Sequence, residues 1–222
     1  MWRPVSEYSS SPVLGDGLST TCKPCGRLTN YNVTPERFAA MLEAQGGVCA
    51  VCLAADGSGR ELSVDHDHRC CSGPRSCGRC VRGLLCTRCN LGLGRLGDSS
   101  NRVGAALQYL RHWRAQPARI VADNPPKPRG RRWPRFRVTD AEYDRMLELQ
   151  SGSCALCPRI PGRRALAVDH DHACCPTVPT CGGCVRGLLC TNCNVGLSHF
   201  REDEGLLTRA GQYLARAASE CT

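Results

Sequence analysis

Residues 64–94 read VDHDHRCCSGPRSCGRCVRGLLCTRCNLGLG, and residues 168–198 read VDHDHACCPTVPTCGGCVRGLLCTNCNVGLS. The two stretches align without a gap and are identical at 21 of 31 positions. Most of the shared residues are Asp, His, Cys, Arg, Gly and Asn, which are typical of metal sites, phosphate contacts and tight turns rather than of an apolar core. The repeat therefore predicts a duplicated active site and divides the chain into two similar halves.

The spacing of the repeat predicts the domain organisation. It begins at Val64 and again at Val168, so each half of the 222-residue chain has the size of one small domain. The predicted order is an N-terminal tail with an isolated Cys-x-x-Cys over 1–33, a first domain over 34–115, a basic Pro/Arg linker over 116–138 and a second domain over 139–222. The first 21 residues are rich in Ser, Pro and Gly and are predicted to be disordered.

Nineteen cysteines and only 5% aromatic residues indicate that metal ions or disulfides, rather than a large apolar core, stabilise the fold. Disulfides are typical of secreted domains and metal sites of intracellular ones. The N-terminus has no basic segment followed by an apolar one, so we expect no secretory signal. Most cysteines have the Cys-x-x-Cys spacing of zinc ligands, and the odd count leaves Cys221 unmatched. We expect metal sites and a cytoplasmic location, with disulfides as the alternative.

The charge distribution predicts DNA as the partner. The chain has a net charge of +9, and residues 116–138 alone carry 7 Lys/Arg against 1 Asp/Glu, whereas residues 139–222 carry 8 against 10. A basic stripe of this kind suits a polyanion. The linker residues predicted to contact phosphate are Arg129, Arg131 and Arg132. A solvated basic face is the alternative, and without a run of about 18 apolar residues we expect no membrane partner.

Each half has the same predicted order of elements. Thr34 followed by Pro35 is a helix start, and Thr139 is its counterpart in the second half. Strand-like segments follow at Leu62–Asp65 and Leu166–Asp169. A cysteine-rich loop, an extended Val-Arg-Gly-Leu-Leu segment and a closing helix complete each half.

Two Cys-x-x-Cys pairs flank the Asp-His block in each half. Four thiolates from two tight turns complete a closed tetrahedral zinc site, which is structural because no coordination position remains for a substrate. Cysteines that are buried or joined by disulfides are the alternative. The predicted structural zinc ligands are Cys49, Cys52, Cys86 and Cys89 in the first half, and Cys154, Cys157, Cys190 and Cys193 in the second.

Between the zinc pairs lie polar groups that a zinc site does not need. They are Asp65, His66, Asp67, His68 and, directly after the last zinc cysteine, Asn90. Carboxylate and amide oxygens are hard ligands suited to Mg²⁺ or Mn²⁺, and an imidazole can take a proton from water at neutral pH. Together with Arg82 this set predicts a phosphodiester-cleaving arrangement. A surface Asp-His cluster without function is the alternative.

These motifs resemble those of the phage recombination endonuclease VII family. Cys-x-x-Cys, Asp-His-Asp-His and Val-Arg-Gly-Leu-Leu-Cys-x-x-Cys-Asn follow one another in the order of that family, over residues 34–113 and again over 139–216. The family belongs to the His-Me finger (HNH-like, ββα-metal) nucleases. The resemblance implies an α+β fold with two tandem zinc-stabilised ββα-metal domains and flanking helices.

The resemblance also implies a role for each polar residue. The ligands of a catalytic Mg²⁺ or Mn²⁺ would be Asp65, Asn90, Asp169 and Asn194. The general bases that activate water would be His66 and His170, and the supporting histidines, which orient phosphate or water, would be His68 and His172. The residues that contact phosphate would be Arg82 and Arg186, although an Arg in a strand is as often a plain surface residue.

The chain departs from the pattern of that family in three ways. The unit occurs twice in one polypeptide, the second half is acidic, and each unit contains a Cys-Cys-x5-Cys-x2-Cys insert. The insert predicts a second zinc site, with a redox disulfide as the alternative. Its cysteines are Cys70, Cys71, Cys77 and Cys80, and Cys174, Cys175, Cys181 and Cys184. The pair Cys22 and Cys25 looks like half of a zinc ribbon, and its role stays open.

The sequence thus predicts a metal-dependent endodeoxyribonuclease that hydrolyses phosphodiester bonds, in branched or junction DNA as the resemblance implies. The alternatives are a tandem zinc protein that binds DNA without cutting it and a structural scaffold. Two to four structural zinc ions per chain are expected beside Mg²⁺ or Mn²⁺. The duplication further suggests an intramolecular pseudo-dimer in which the C-terminal helices of the two halves pack together; further oligomerisation stays open.

Overall fold

The computed structural model describes residues 4–57, 59–115, 134–160 and 165–219. The elements, in order, are β1 (Tyr8–Ser10), β2 (Leu18–Cys22), α1 (Lys23–Asn30), α2 (Pro35–Ala44), β3 (Ser63–His66), β4 (Val81–Leu85), α3 (Thr87–Arg95), α4 (Ser100–Ala115), α5 (Asp140–Leu149), β5 (Ala167–His170), β6 (Val185–Leu189), α6 (Thr191–His199) and α7 (Glu204–Ser219). The mixture of helices and small sheets agrees with the predicted α+β class. None of the described helices is long and apolar enough to cross a membrane. Cys221 and the arginines of the basic linker, Arg129, Arg131 and Arg132, lie outside the described residues.

The N-terminal segment differs from its prediction. Of the 21 residues expected to be disordered, residues 1–3 lie outside the described part of the chain. For residues 8–21 the expectation is wrong, because β1 pairs with β2 in an antiparallel hairpin. A turn held by the Asp16 carboxylate, which accepts from the backbone N–H of Leu18 at 3.0 Å, brings the strands together. The hairpin leads into α1, whose N-terminus is capped by the Cys22 sulfur.

The helix that opens each repeat begins where the caps predict. The Thr34 hydroxyl accepts from the N–H of Arg37, and Thr139 forms a reciprocal capping box with Glu142. Such caps satisfy backbone N–H groups that a helix start leaves without a partner. Both helices therefore start at fixed positions and lead into the first zinc pair of their repeat.

Each repeat contains a two-stranded antiparallel sheet followed by a helix. β3 pairs with β4 and β5 with β6, with Asp65 opposite Gly83 and Asp169 opposite Gly187. In both sheets the register shifts after the aspartate, so the next residue, His66 or His170, lies at an irregularity in the ladder. Such bulges redirect side chains, here at the histidines predicted to be catalytic.

A glutamine after the opening helix ties that helix to the sheet. The Gln45 side chain donates to the carbonyl of Leu84 at 2.9 Å and accepts from its N–H at 2.8 Å. Gln150 does the same with Leu188, at 2.8 Å for both bonds. The second strand of each sheet is thereby held at the point where the zinc pairs converge.

The chain divides into two compact units. The first unit consists of the chain up to Asn90 together with the segment that begins at Ala215. The second unit is Leu91–Leu214. The end of α3 and all of α4, which belong to the first sequence half, therefore lie in the unit that holds the second repeat. The predicted domain boundaries follow the sequence repeat instead, and they stay a prediction.

The two units have apolar cores of their own. Buried side chains of the first include Val51, Leu62, Val64, Leu84 and Leu85, and those of the second include Leu96, Val103, Leu110, Leu188, Leu197, Phe200 and Leu207. In the Leu91–Leu214 unit two glycines allow close packing. A Cβ at Gly92 would lie 2.7 Å from the Phe200 ring, and one at Gly196 would lie 2.9 Å from the Leu96 side chain.

Candidate active site

The predicted cysteine sets converge in four clusters. In each cluster the four sulfur atoms lie within 4.8 Å of one another. Individual separations are 3.8 Å for Cys52 to Cys86 and 3.8 Å for Cys157 to Cys190. Four thiolates at about 2.3 Å from a tetrahedral zinc are about 3.8 Å apart, so the clusters fit zinc. The clusters are Cys49, Cys52, Cys86 and Cys89; Cys154, Cys157, Cys190 and Cys193; Cys70, Cys71, Cys77 and Cys80; and Cys174, Cys175, Cys181 and Cys184.

In two of the clusters, hydrogen bonds lower the pKa of one thiol and raise the pKa of another, Cys193 or Cys70. The Cys193 thiol lowers the pKa of Cys154 to about 5. The backbone N–H of Cys80 lowers the pKa of Cys77 to about 6. A thiol must lose its proton to bind a metal ion. Each of these clusters therefore contains one sulfur that is readily available as a thiolate.

The aspartate at the end of the first strand is buried and held by an arginine. Asp65 accepts two hydrogen bonds from the Arg82 guanidinium, at 2.7 and 2.9 Å. Asp169 accepts two from Arg186, at 2.7 and 3.1 Å. The two arginine side chains are only 5% and 7% exposed. Both guanidinium groups thus orient a carboxylate, and a contact of either with phosphate stays a prediction.

The histidine after each aspartate is buried and fixed by the cysteine loop. His66 Nε2 lies 3.2 Å from the backbone carbonyl of Cys71, and His170 Nε2 lies 3.0 Å from that of Cys175. A carbonyl can only accept, so Nε2 carries the proton and Nδ1 is the nitrogen that can take one from water. Burial, followed by the neighbouring His172, lowers the pKa of His170. A lowered pKa keeps that imidazole neutral, as a general base requires.

The ring of the second histidine in each block packs against the ring of the first at a tilted angle. The rings of His66 and His68 are 4.5 Å apart between centres, and those of His170 and His172 are 4.4 Å apart. His68 and His172 are exposed at the surface. The buried and the exposed imidazole therefore form a single polar patch next to the aspartate.

Three further residues of the second unit contact this site, and the sequence did not predict them. Glu202, which is buried, accepts from Arg186 at 2.8 Å and from His172 Nδ1. Tyr109 donates its hydroxyl to Asp169 at 2.8 Å. The Phe136 ring lies 5.7 Å from that of His170. Burial raises the pKa of Asp169, and the Arg186 guanidinium acts in the opposite direction.

A comparison of the two halves could have found some of these residues. The Tyr31 ring lies 5.5 Å from the His66 ring, so an aromatic residue three positions before each helix cap packs on each buried histidine. Tyr109 also recurs, as Tyr213, in a shared Gln-Tyr-Leu triplet. The alignment shows that these positions are shared, but only the fold shows which side chains they contact.

The asparagines predicted as metal ligands lie in the first turns of α3 and α6. The N–H groups of Asn90 and Asn194 donate to the carbonyls of Cys86 and Cys190, each at 3.0 Å. These bonds tie the backbone of each asparagine to the cysteine that precedes its helix. Coordination of a metal ion by the two amide groups stays a prediction.

The comparison with known families agrees with this geometry. The sequence model of the recombination endonuclease VII family matches residues 22–112 and again residues 129–216. Together these regions make up most of the chain. The chain belongs to the recombination endonuclease VII family. The two matches confirm that the family unit is present as a tandem duplication.

Two relatives of this chain occur in bacteriophages. The Gene 59 protein of Mycobacterium phage D29 is 44% identical over 85 residues, which is 38% of this chain and 47% of the relative. The Gene 59 protein of Mycobacterium phage L5 is 40% identical over 84 residues, or 37% of this chain and 46% of the relative. The chain thus spans about half the length of the curated relatives it matches. No solved structure matches it.

Proposed function

We propose that this chain is a metal-dependent DNA endonuclease with a His-Me finger active site in each repeat. Its substrate would be branched DNA such as a four-way junction, and its reaction the hydrolysis of a phosphodiester bond. The observation that carries the proposal is one polar arrangement found twice. In both repeats a buried histidine is held by a backbone carbonyl beside an aspartate that is held by an arginine. A protein that only binds DNA has no need of such a pair.

The carboxylate chemistry suits a divalent cation. Asp65 is held by two hydrogen bonds from Arg82. Its carboxylate and the Asn90 amide would be the ligands of Mg²⁺ or Mn²⁺, because these cations prefer oxygen ligands. A cation bound there would supply positive charge next to the scissile phosphate. Asp169 and Asn194 would take these roles in the second repeat.

The histidines would handle the proton. His66 Nδ1 would accept a proton from the attacking water while Nε2–H stays bonded to the Cys71 carbonyl. The exposed His68 ring, packed against His66, would orient the phosphate. His170 and His172 would act in the same way in the second repeat. Zinc in the Cys49 and Cys154 clusters would hold the strands and the following helix in register around these side chains.

A nicking assay tests the proposal. The full chain is incubated with four-way junction and linear duplex DNA in the presence of Mg²⁺ or Mn²⁺, next to the His66→Ala, His170→Ala double variant. Wild type is expected to cut only with a divalent cation, and the double variant to be inactive while it retains its zinc and its DNA binding. If the double variant cuts as well as wild type, the site assignment is wrong. If wild type binds DNA but does not cut it, the chain is a tandem zinc DNA-binding protein.

A further inference from the structure

The insert cysteines form a cluster that lies against the catalytic histidine. In the first unit the sulfur of Cys70 lies 3.8 Å from that of Cys77, which in turn lies 3.8 Å from that of Cys80. These separations suit tetrahedral zinc, as do those in the Cys49 cluster. The insert cluster differs from the Cys49 cluster in two ways. It is partly exposed, and all four of its cysteines lie in a single loop between β3 and β4.

Apart from the cluster, hydrogen bonds with residues 30–37 support this loop. The Ser76 N–H donates to the Asn30 carbonyl at 2.9 Å, and the side chains of Asn32 and Arg37 donate to the carbonyls of Cys77 and Gly78 at 3.2 and 2.9 Å. Residues 67–80 contain no helix or strand, and most of their side chains are exposed or half-buried. Apolar burial therefore contributes little to its conformation. A short loop with four converging thiols is the kind of segment that a structural metal ion folds.

Backbone hydrogen bonds join the loop directly to the histidine strand. The N–H of Asp67 donates to the carbonyl of Cys80 at 2.9 Å, and the carbonyl of Asp67 accepts from the N–H groups of Cys70 and Cys71, each at 3.0 Å. The carbonyls of Cys71 and Gly73 then face His66 Nε2 at 3.2 and 3.3 Å. Cys71 thus offers its sulfur to the cluster and its carbonyl to the imidazole.

The second unit repeats these bonds with a different loop sequence. Asp171 donates to the carbonyl of Cys184 at 2.9 Å and accepts from the N–H groups of Cys174 and Cys175 at 3.2 and 2.9 Å. The carbonyl of Cys175 lies 3.0 Å from His170 Nε2.

The residues between the second and third insert cysteines are Ser-Gly-Pro-Arg-Ser in one unit and Pro-Thr-Val-Pro-Thr in the other, different at every position. From the first to the last insert cysteine, the two loops therefore share only the four cysteines and one glycine, Gly78 or Gly182.

We propose that the insert cluster is a second metal centre whose role is to position the general-base histidine. Zinc held by Cys70, Cys71, Cys77 and Cys80 would fix the Cys71 carbonyl, and that carbonyl fixes the ring of His66 with its proton on Nε2. The cluster of Cys174, Cys175, Cys181 and Cys184 does the same for His170. Loss of this metal disables cutting while the zinc of the Cys49 and Cys154 clusters still maintains the fold. The inference rests on the proposed function for the histidine's role as a base and for the expected loss of cutting.

The test removes one ligand from each insert cluster in the full chain. The variant is Cys77→Ser, Cys181→Ser, and the matched control is Ser72→Ala, Pro176→Ala, which changes exposed residues of the same loops. Zinc per chain, far-ultraviolet circular dichroism, the imidazole nitrogen NMR signals and nicking are measured on each protein. The expected zinc content falls from four ions, one for each cluster, to two. Helix content is retained, the histidine signals no longer show a single Nε2–H form, and nicking falls about 10- to 100-fold. The control matches wild type.

A conservative variant guards against a simple folding defect. Cys77→His, Cys181→His keeps four ligands of types that zinc accepts, so it is expected to retain four zinc ions and to cut within a few-fold of wild type. Three results would overturn the inference. They are an unchanged zinc content in the serine variant, loss of two zinc ions with unchanged histidine signals and nicking, and loss of cutting in a histidine variant that retains all its zinc. The zinc content and the imidazole signals are informative even if the His66→Ala, His170→Ala variant still cuts, so the two proposals can fail separately.

Discussion

The second site contains a buried carboxylate, Glu202, in addition to Asp169. Glu202 is 8% exposed, and its carboxylate bonds to Arg186 and to His172. The aligned residue of the first half is Asp98, one methylene shorter, and both adopt a left-handed backbone with φ of 49° and 54°. Burial acts to raise the pKa of Glu202, but the bonds and charge of Arg186 lower it overall. The carboxylate is therefore charged and part of a buried ion pair.

Removal of this carboxylate should cost stability. Glu202→Ala leaves Arg186 buried with one carboxylate fewer, and breaking a buried pair from one side typically costs about 3–5 kcal/mol. Denaturant unfolding measures the loss. The matched control is Glu204→Ala, since Glu204 pairs with Arg111 and Arg114 at the exposed surface and should lose far less. Equal losses in the two variants would contradict the buried-pair account.

Individual residues differ in how far the sequence predicts them. The predictions for Asp65 and His66 rested on adjacency. The structure places both residues in a strand that pairs with β4, and their catalytic roles stay predictions. Tyr109 could not be predicted, because it lies 60 residues from Asp169 in the chain and only the packing of α4 brings the two together. Arg82 was predicted to be a phosphate contact because arginines suit phosphate, but its bonds to Asp65 depend on strand register.

At the scale of elements, α4 connects the two sequence halves. It belongs to the first half, yet in the Leu91–Leu214 unit its Tyr109 hydroxyl bonds to Asp169 and its Arg111 and Arg114 bond to Glu204 at the start of α7. These contacts favour the intramolecular pseudo-dimer, in which closing helices of the two halves pack together. They also imply that part of the second site depends on a helix of the first half.

Tyr109→Phe should impair the second site alone. The change retains the ring and removes one hydrogen bond to a charged carboxylate, which is worth about 1.5–3 kcal/mol. In a His66→Ala background, where only the second site can cut, we expect nicking to fall at least about 10-fold and the required Mn²⁺ concentration to rise. The same substitution in a His170→Ala background should leave the nicking rate of that background unchanged. A similar loss in both backgrounds would indicate a general structural role for the tyrosine.

Close packing against α3 in the Leu91–Leu214 unit gives a second prediction about the elements. Gly92→Ala would place a Cβ 2.7 Å from the Phe200 ring, an overpacking that typically costs about 1–3 kcal/mol. Gly94→Ala is the control, because a Cβ there meets nothing within 4 Å and Ala favours a helix over Gly by about 1 kcal/mol. Thermal unfolding should therefore shift downward for the first variant and slightly upward for the second. A downward shift of equal size for both would contradict the packing.

The elements themselves were largely predictable. The caps at Thr34 and Thr139 and the strand-like segments at the Asp-His blocks are local signals, and the strands lie within one residue of their predicted positions. The N-terminal hairpin was missed because Ser-, Pro- and Gly-rich composition predicts disorder, whereas its pairing arises between segments several residues apart. The assignment of α4 to the compact unit of the second repeat was also missed, because helix packing between repeats has no signature in a single helix.

At the scale of the whole molecule, the charge distribution bears on DNA binding. The predicted contacts Arg129, Arg131 and Arg132 lie in the basic linker, whereas the second half is acidic. Neutralising all three should flatten the dependence of DNA affinity on salt, by at most about 0.9 in the log–log slope for each phosphate that an arginine no longer neutralises. Fluorescence anisotropy over a range of salt concentrations measures it. An unchanged slope would remove the linker from the binding surface.

The duplication bears on the central claim, that each repeat has its own cutting centre. Both repeats contain the aspartate–arginine pair, the carbonyl-held histidine and the two cysteine clusters. Two such centres in one chain would let a single polypeptide cut both strands of a branch. The alternative is a single catalytic repeat beside a structural copy, in which Glu202 and Tyr109 stabilise a site that does not cut.

The most direct test of this claim counts the strands cut in a four-way junction by wild type and by His66→Ala and His170→Ala separately. In the presence of Mg²⁺, wild type is predicted to cut two strands per junction, and each single variant to cut one strand, each on a different strand relative to the bound chain. Full activity in one single variant together with no activity in the other would contradict the claim, because only one repeat would then be catalytic.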